Sequence, residues 1–88
     1  MKSYLNSGCK DKTIFVTGGA GFLGSEIVKQ ISASGGTVLV YDNFSSGKKK
    51  HVENYPKVKI IKGDIRDRSV LRKAIGKSEY IINLAALP

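Results

Sequence analysis

The residues whose types and spacing bear on chemistry begin with Thr17-Gly18-Gly19-Ala20-Gly21-Phe22-Leu23-Gly24. An apolar, β-branched run, Thr13-Ile14-Phe15-Val16, leads into it, and a helical pattern, Ser25-Glu26-Ile27-Val28-Lys29-Gln30-Ile31, follows. Strand, glycine turn and helix in that order turn a weak glycine pattern into a dinucleotide site. One glycine permits the tight turn, one lets the backbone approach a pyrophosphate, and one lets helix and strand pack closely. The helix start adds free N–H groups and a partial positive charge. A Walker-type loop is excluded, because no G-x-x-x-x-G-K-[ST] segment exists.

Two carboxylates stand at matching places. Asp42 closes the next apolar run, Thr37-Val38-Leu39-Val40-Tyr41, and lies 21 positions after Gly21. A carboxylate there accepts hydrogen bonds from an adenosine ribose and repels a 2′-phosphate, which favours NAD over NADP. The alternative is an Asx-turn at the start of a loop. Asp64-Ile65 follows a third run, Val58-Lys59-Ile60-Ile61-Lys62. Asp64 could accept from an adenine amino group while Ile65 packs on the ring; Gly-Asp after a strand is also an ordinary turn.

Tyr55 and Lys59 match the spacing of a Tyr-x-x-x-Lys proton relay. A relay needs both on one helix face. Pro56 follows Tyr55, and Lys59 falls in the strand-like run, where four residues span about 13 Å. The match reads as accidental. His51, the one histidine, sits among Lys48, Lys49 and Lys50 with no carboxylate at a telling spacing, so no catalytic role is assigned to it.

The elements that would position these groups alternate. Strands are expected at 13–17, 37–41, 58–62 and 80–84, and helices at about Phe22 to Ser34 and Arg68 to Ile75. A short turn is expected near Val52-Glu53-Asn54. Asp67 is placed to cap the second helix, and Val70, Leu71, Ala74 and Ile75 form its apolar stripe. Gly35-Gly36 and Gly76 are helix stops. Residues 1–12 are a polar lead-in. The β-α-β-β-α-β order is α/β, with a parallel sheet of about four strands and flanking helices.

With 88 residues the chain is one small domain at most. Such a chain buries only about 60–65% of its unfolded surface. The 15 Lys+Arg against 7 Asp+Glu give a net charge of +8. These charges are scattered and have no interleaved aromatic platform, so a solvated basic surface is favoured over nucleic-acid binding. The single cysteine, Cys9, excludes an internal disulfide and a multi-cysteine metal site. No apolar run suits a membrane span and the first residues lack a signal-peptide core, so a cytoplasmic location is expected. The apolar last strand, Tyr80 to Leu84, with no partner after it, predicts aggregation or dimerisation.

Thr17-Gly18-x-x-Gly21-x-x-Gly24 resembles the nucleotide-binding signature of the extended short-chain dehydrogenase/reductase superfamily. Tyr41-Asp42-Asn43-Phe44-Ser45-Ser46-Gly47-Lys48 resembles its NAD-dependent epimerase/dehydratase family, UDP-glucose 4-epimerases above all. Gly63-Asp64-Ile65-Arg66-Asp67 and Asn83-Leu84-Ala85-Ala86 resemble the next two landmarks. The resemblance implies a partial Rossmann fold over 13–88, the N-terminal half of an NAD-binding domain. It implies that Gly18, Gly21 and Gly24 shape the pyrophosphate loop, with Phe22 and Leu23 offering N–H groups. By the same resemblance Asp42 holds the ribose, and Asn43, Phe44, Ser45, Ser46 and Gly47 wrap that end. Asp64 and Ile65 face adenine, and Leu84, Ala85 and Ala86 line the path to the nicotinamide. Family members often carry His where this chain has Asn83, and some carry Lys in place of Pro88. Their catalytic Tyr-x-x-x-Lys helix and sugar-nucleotide domain lie beyond residue 88, so no catalytic residue is expected here. The implied parent acts on a UDP-sugar by hydride removal and return, and the fragment is inactive alone. The alternative is a non-catalytic NAD-binding module or regulatory subunit.

Overall fold

Five consecutive residues with no charge and two β-branched ends make Thr13–Thr17 the first strand, β1. In the computed structural model, which describes residues 10–44, 48–76 and 78–84, β1 is buried on both faces from Ile14 onward. Helix α1 (Phe22–Ala33) follows the glycine turn and ends at Ser34; the N–H of Gly36 then donates to the Ile31 carbonyl at 3.1 Å. Strand β2 (Thr37–Asp42) runs one residue beyond the apolar run and takes in Asp42. Strand β3 (Val58–Lys62), helix α2 (Arg68–Ile75) and strand β4 (Tyr80–Asn83) follow.

The sheet has four parallel strands in the order β3-β2-β1-β4. Thr17 lies opposite both Tyr41 and Asn83, and Asp42 lies opposite Lys62. The segments that follow all four strands therefore emerge along one edge. The chain leaves β3 and crosses to the far side of β1, so the order reverses there. That reversal is where an open α/β sheet places its ligand.

The two faces are unequal. Ile14, Val16, Val38 and Val40 point to the α1 face and meet Val28, Ile31 and Val52 in the main core. Phe15, Thr17 and Ile81 point the other way, toward Leu71 and Ile75 of α2, around an open cleft of about 220 Å³. Phe15 and Tyr41 stack on this face with centroids 5.6 Å apart.

Helix α2 starts as its sequence dictates. The Asp67 carboxylate accepts from the Val70 N–H at 3.2 Å. Asp67→Ala is expected to lower stability by about 1 kcal/mol; a urea melt that does not shift would remove the cap from the account. The stripe expected on α2 is only partly covered. Leu71, Ala74 and Ile75 are half-buried, whereas Val70 is 41% exposed. The turn expected at 52–54 is present and continues a 3-10 turn at Lys49–His51, which the expectation did not include. The apolar side chain that drives this segment inward is Val52, which is fully buried against the α1-face core and follows the 3-10 turn. Residues 1–9 of the lead-in lie outside the described residues.

Candidate cofactor-binding site

The glycine turn is built by close backbone packing. The Gly18 N–H donates to the Tyr41 carbonyl at 2.9 Å, which joins the turn to β2, and the Gly18 carbonyl accepts from Gly21 at 3.3 Å. Gly24 lies against the same carbonyl: a Cβ there would stand 2.2 Å from the Gly18 oxygen and 2.8 Å from Gly19 Cα. Gly24 is thus the glycine that lets α1 approach β1.

Gly21 occupies the N-cap position with extended backbone and has no side chain with which to cap the helix. No acidic residue lies in the first turn. Phe22 and Leu23 are 96% and 61% exposed. The amino end of α1 therefore faces solvent with donor groups and a positive dipole that no side chain of its own cap or first turn offsets.

Among the described residues Asp42 has two partners. One carboxylate oxygen accepts from Ala20 N–H at 3.0 Å, and the other accepts from Phe44 N–H at 2.8 Å. The second bond is the Asx-turn weighed as the alternative, and it coexists with a hold on the glycine turn. An ionised carboxylate offers about four lone-pair sites, two more than these described partners use. Asn43 is exposed, and Phe44 is half-buried with φ near 60°. Ser45, Ser46, Gly47, Ala85 and Ala86 lie outside the described residues.

Asp64 is tied to Arg66. Three guanidinium contacts of 2.6–3.1 Å and the Arg66 N–H at 2.8 Å converge on its carboxylate. These bonds, the guanidinium first, hold its pKa below the ordinary 3.8, at about 2. The pair's contribution to stability is therefore present above the ordinary carboxylate range and is lost as pH falls through about 2. Arg66→Ala should return the Asp64 titration toward 3.8 in a carboxyl-carbon NMR titration; a midpoint still near 2 would mean another group holds it. Ile65 is half-buried and lines the cleft with Leu71 and Ile75. Leu84 packs against the α1-face core, and its N–H donates to the Thr17 carbonyl at 2.9 Å.

Two residues with no role assigned from sequence, His51 and Tyr41, brace the site. The Ala20 carbonyl accepts from the Lys48 N–H at 3.2 Å and from His51 Nδ1 at 3.0 Å. A carbonyl can only accept, so that ring nitrogen carries the proton. Tyr41 is fully buried, and its hydroxyl donates to the Asp64 carbonyl at 2.9 Å. Burial, then the charges of Asp67 and Asp64, push its pKa up. Tyr55 packs against the α1-face core, whereas Lys59 lies beside Leu39 on β3, so the pair shares no helix. Among the described residues, no three His, Cys, Asp or Glu side chains form a metal site, and no helix is long and apolar enough to cross a membrane.

The profile of the NAD dependent epimerase/dehydratase family matches residues 14–88. The chain belongs to that family. The epimerase/dehydratase chain is 42% identical over 76 residues to the UDP-glucose 4-epimerase of Lacticaseibacillus casei, a match covering 84% of this chain and 22% of that protein. Among solved structures it is similar to epimerase Mth375 of Methanothermobacter thermautotrophicus (TM-score 0.83, 31% identity, 98% of this chain and 25% of that one). It is also similar to the Bordetella bronchiseptica enzyme WbmG in complex with NAD and UDP (TM-score 0.80, 32% identity, 85% and 25%). The fold is a partial Rossmann-like α/β fold, and the epimerase/dehydratase chain spans about a quarter of the length of these relatives.

Proposed function

We propose that this chain is the NAD-binding portion of a sugar-nucleotide epimerase/dehydratase. One joint observation carries the reading: an uncapped helix start follows a turn whose Ala20 N–H is held by the Asp42 carboxylate. A diphosphate would rest on the Gly18–Gly24 turn against the N–H groups of Phe22 and Leu23. The spare acceptor sites of Asp42 would take the ribose hydroxyls. Asn43 and Phe44, with Ser45, Ser46 and Gly47, would wrap that end, and Asp64 and Ile65 would face adenine. Leu84, with Ala85 and Ala86, would lead toward the nicotinamide.

Bound NAD supplies a hydride acceptor. The parent enzyme would use it on a UDP-sugar, removing a hydride from a sugar carbon and returning it. The sequence carries no Tyr-x-x-x-Lys pair on a helix, so the part assigned to these residues is binding alone. A cytoplasmic setting fits this chemistry. The exposed β4 edge, with Tyr80 53% and Ile81 54% exposed, would pair with a further strand, in the isolated chain that of a second copy.

Calorimetric titration of the purified chain tests the reading. NAD should bind more tightly than NADP. Asp42→Ala should weaken NAD by about tenfold or more, since hydrogen bonds to charged groups contribute about 1.5–3 kcal/mol. A melt of the variant separates this from unfolding. Absence of NAD binding, or unchanged affinity in a folded variant, would overturn the assignment.

A further inference from the structure

We propose that Tyr41 is a positioning residue that sets the purine preference of this site, an inference that rests on the dinucleotide reading above. Tyr41 and Asp42 together hold two of the loops at the ligand edge, the glycine turn and the loop after β3. The Tyr41 carbonyl accepts from Gly18, the Asp42 carbonyl accepts from Gly63 at 3.0 Å, and the Tyr41 hydroxyl reaches the Asp64 carbonyl at 2.9 Å. The Asp64 carbonyl also accepts from Asp67 N–H at 3.0 Å, closing the turn whose tip is Ile65 and Arg66. The offset between the ribose carboxylate and the base-facing turn is therefore fixed by two hydrogen bonds from adjacent residues of β2.

The phenol is not interchangeable with filler. Its ring is clamped by Phe15 on one side and by the absence of a side chain at Gly63 on the other. A Cβ at Gly63 would fall 2.3 Å from the hydroxyl oxygen. The hydroxyl thus has one orientation, on the backbone of the residue that would meet the base. A phenylalanine would keep the ring and the stack but release the turn.

The experiment compares NAD with nicotinamide hypoxanthine dinucleotide, in which a carbonyl replaces the adenine amino group. The two ligands share ribose and diphosphate, so their affinity ratio reads the base alone. The wild-type chain should prefer NAD. Tyr41→Phe should weaken NAD about three- to tenfold, the scale of one hydrogen bond, and leave the hypoxanthine ligand within about twofold. In an Asp64→Asn background the same substitution should add no further loss. If Tyr41→Phe does not melt cooperatively, the pair Tyr41→Leu with Gly63→Ala removes the hydroxyl while refilling the space, and the same ratio is read. Equal weakening of both ligands would make Tyr41 merely structural and overturn the inference. So would an unchanged ratio, or a wild type indifferent to the base, with the dinucleotide reading left standing. A wild type that binds neither ligand would remove both.

Discussion

Gly24→Ala is expected to lower the unfolding free energy by about 3 kcal/mol and to abolish dinucleotide binding. Helix propensity argues the opposite way, since alanine inside a helix is better than glycine by about 1 kcal/mol. The packing decides the sign. A methyl at position 24 would stand 2.2 Å from the Gly18 carbonyl oxygen and 3.0 Å from its carbon. Those are backbone atoms of the turn, and the turn is itself bonded to β2 and to Asp42. No rotamer change relieves the contact; α1 must lift from β1. Overpacking of this kind costs about 1–3 kcal/mol and more where backbone must move. Gly21→Ala is the control. Its Cβ meets nothing closer than the Gly18 oxygen at 3.5 Å, so its stability loss should stay near 1 kcal/mol, the scale of a lost N-cap preference. Chemical denaturation of both variants measures the difference. Equal losses would show that the turn yields more easily than this packing implies.

Gly63→Ala should be nearly as damaging, by about 2–3 kcal/mol, through a side chain rather than backbone. The new methyl would overlap the Tyr41 phenol at 2.3–2.5 Å. Tyr41 is completely enclosed and stacked on Phe15, so it cannot swing aside. Tyr41→Phe would not relieve the overlap, because ring carbons at 2.4 and 2.5 Å remain. Tyr41→Leu would. A double-mutant cycle should therefore give a Gly63–Tyr41 coupling above about 1 kcal/mol; additive losses would mean the damage lies elsewhere in the β3 turn.

Much of this was legible because it is local. The β-branched run before the glycines, the Asp67 cap and the Gly35-Gly36 stop each act within a few residues, and each stands where its pattern put it. Alternating elements implied parallel strands, and the sheet has them. What escaped notice depends on distance along the chain. His51 reaches Ala20 across 31 positions, and the Tyr41 hydroxyl reaches Asp64 across 23. No periodicity encodes such bonds. The Asp64–Arg66 pair was in plain sight, two residues apart, yet nothing in spacing alone says that both side chains fold toward each other. The exposure of Val70 has another cause. An apolar stripe is buried only as far as there is surface to receive it, and the α2 face of this sheet is an open cleft.

The two borders of the sheet are chemically unlike. β3 carries exposed Lys59 and Lys62, whose ammonium groups resist desolvation, while β4 presents Tyr80 and Ile81. If copies pair through β4 as proposed, such a molecule would be a monofunctional monomer, extended from one flank and capped on the other. Joining two copies flank to flank would consume the reactive border of each and leave lysine at both outer margins, so that assembly would stop at a closed pair rather than run on into a fibre.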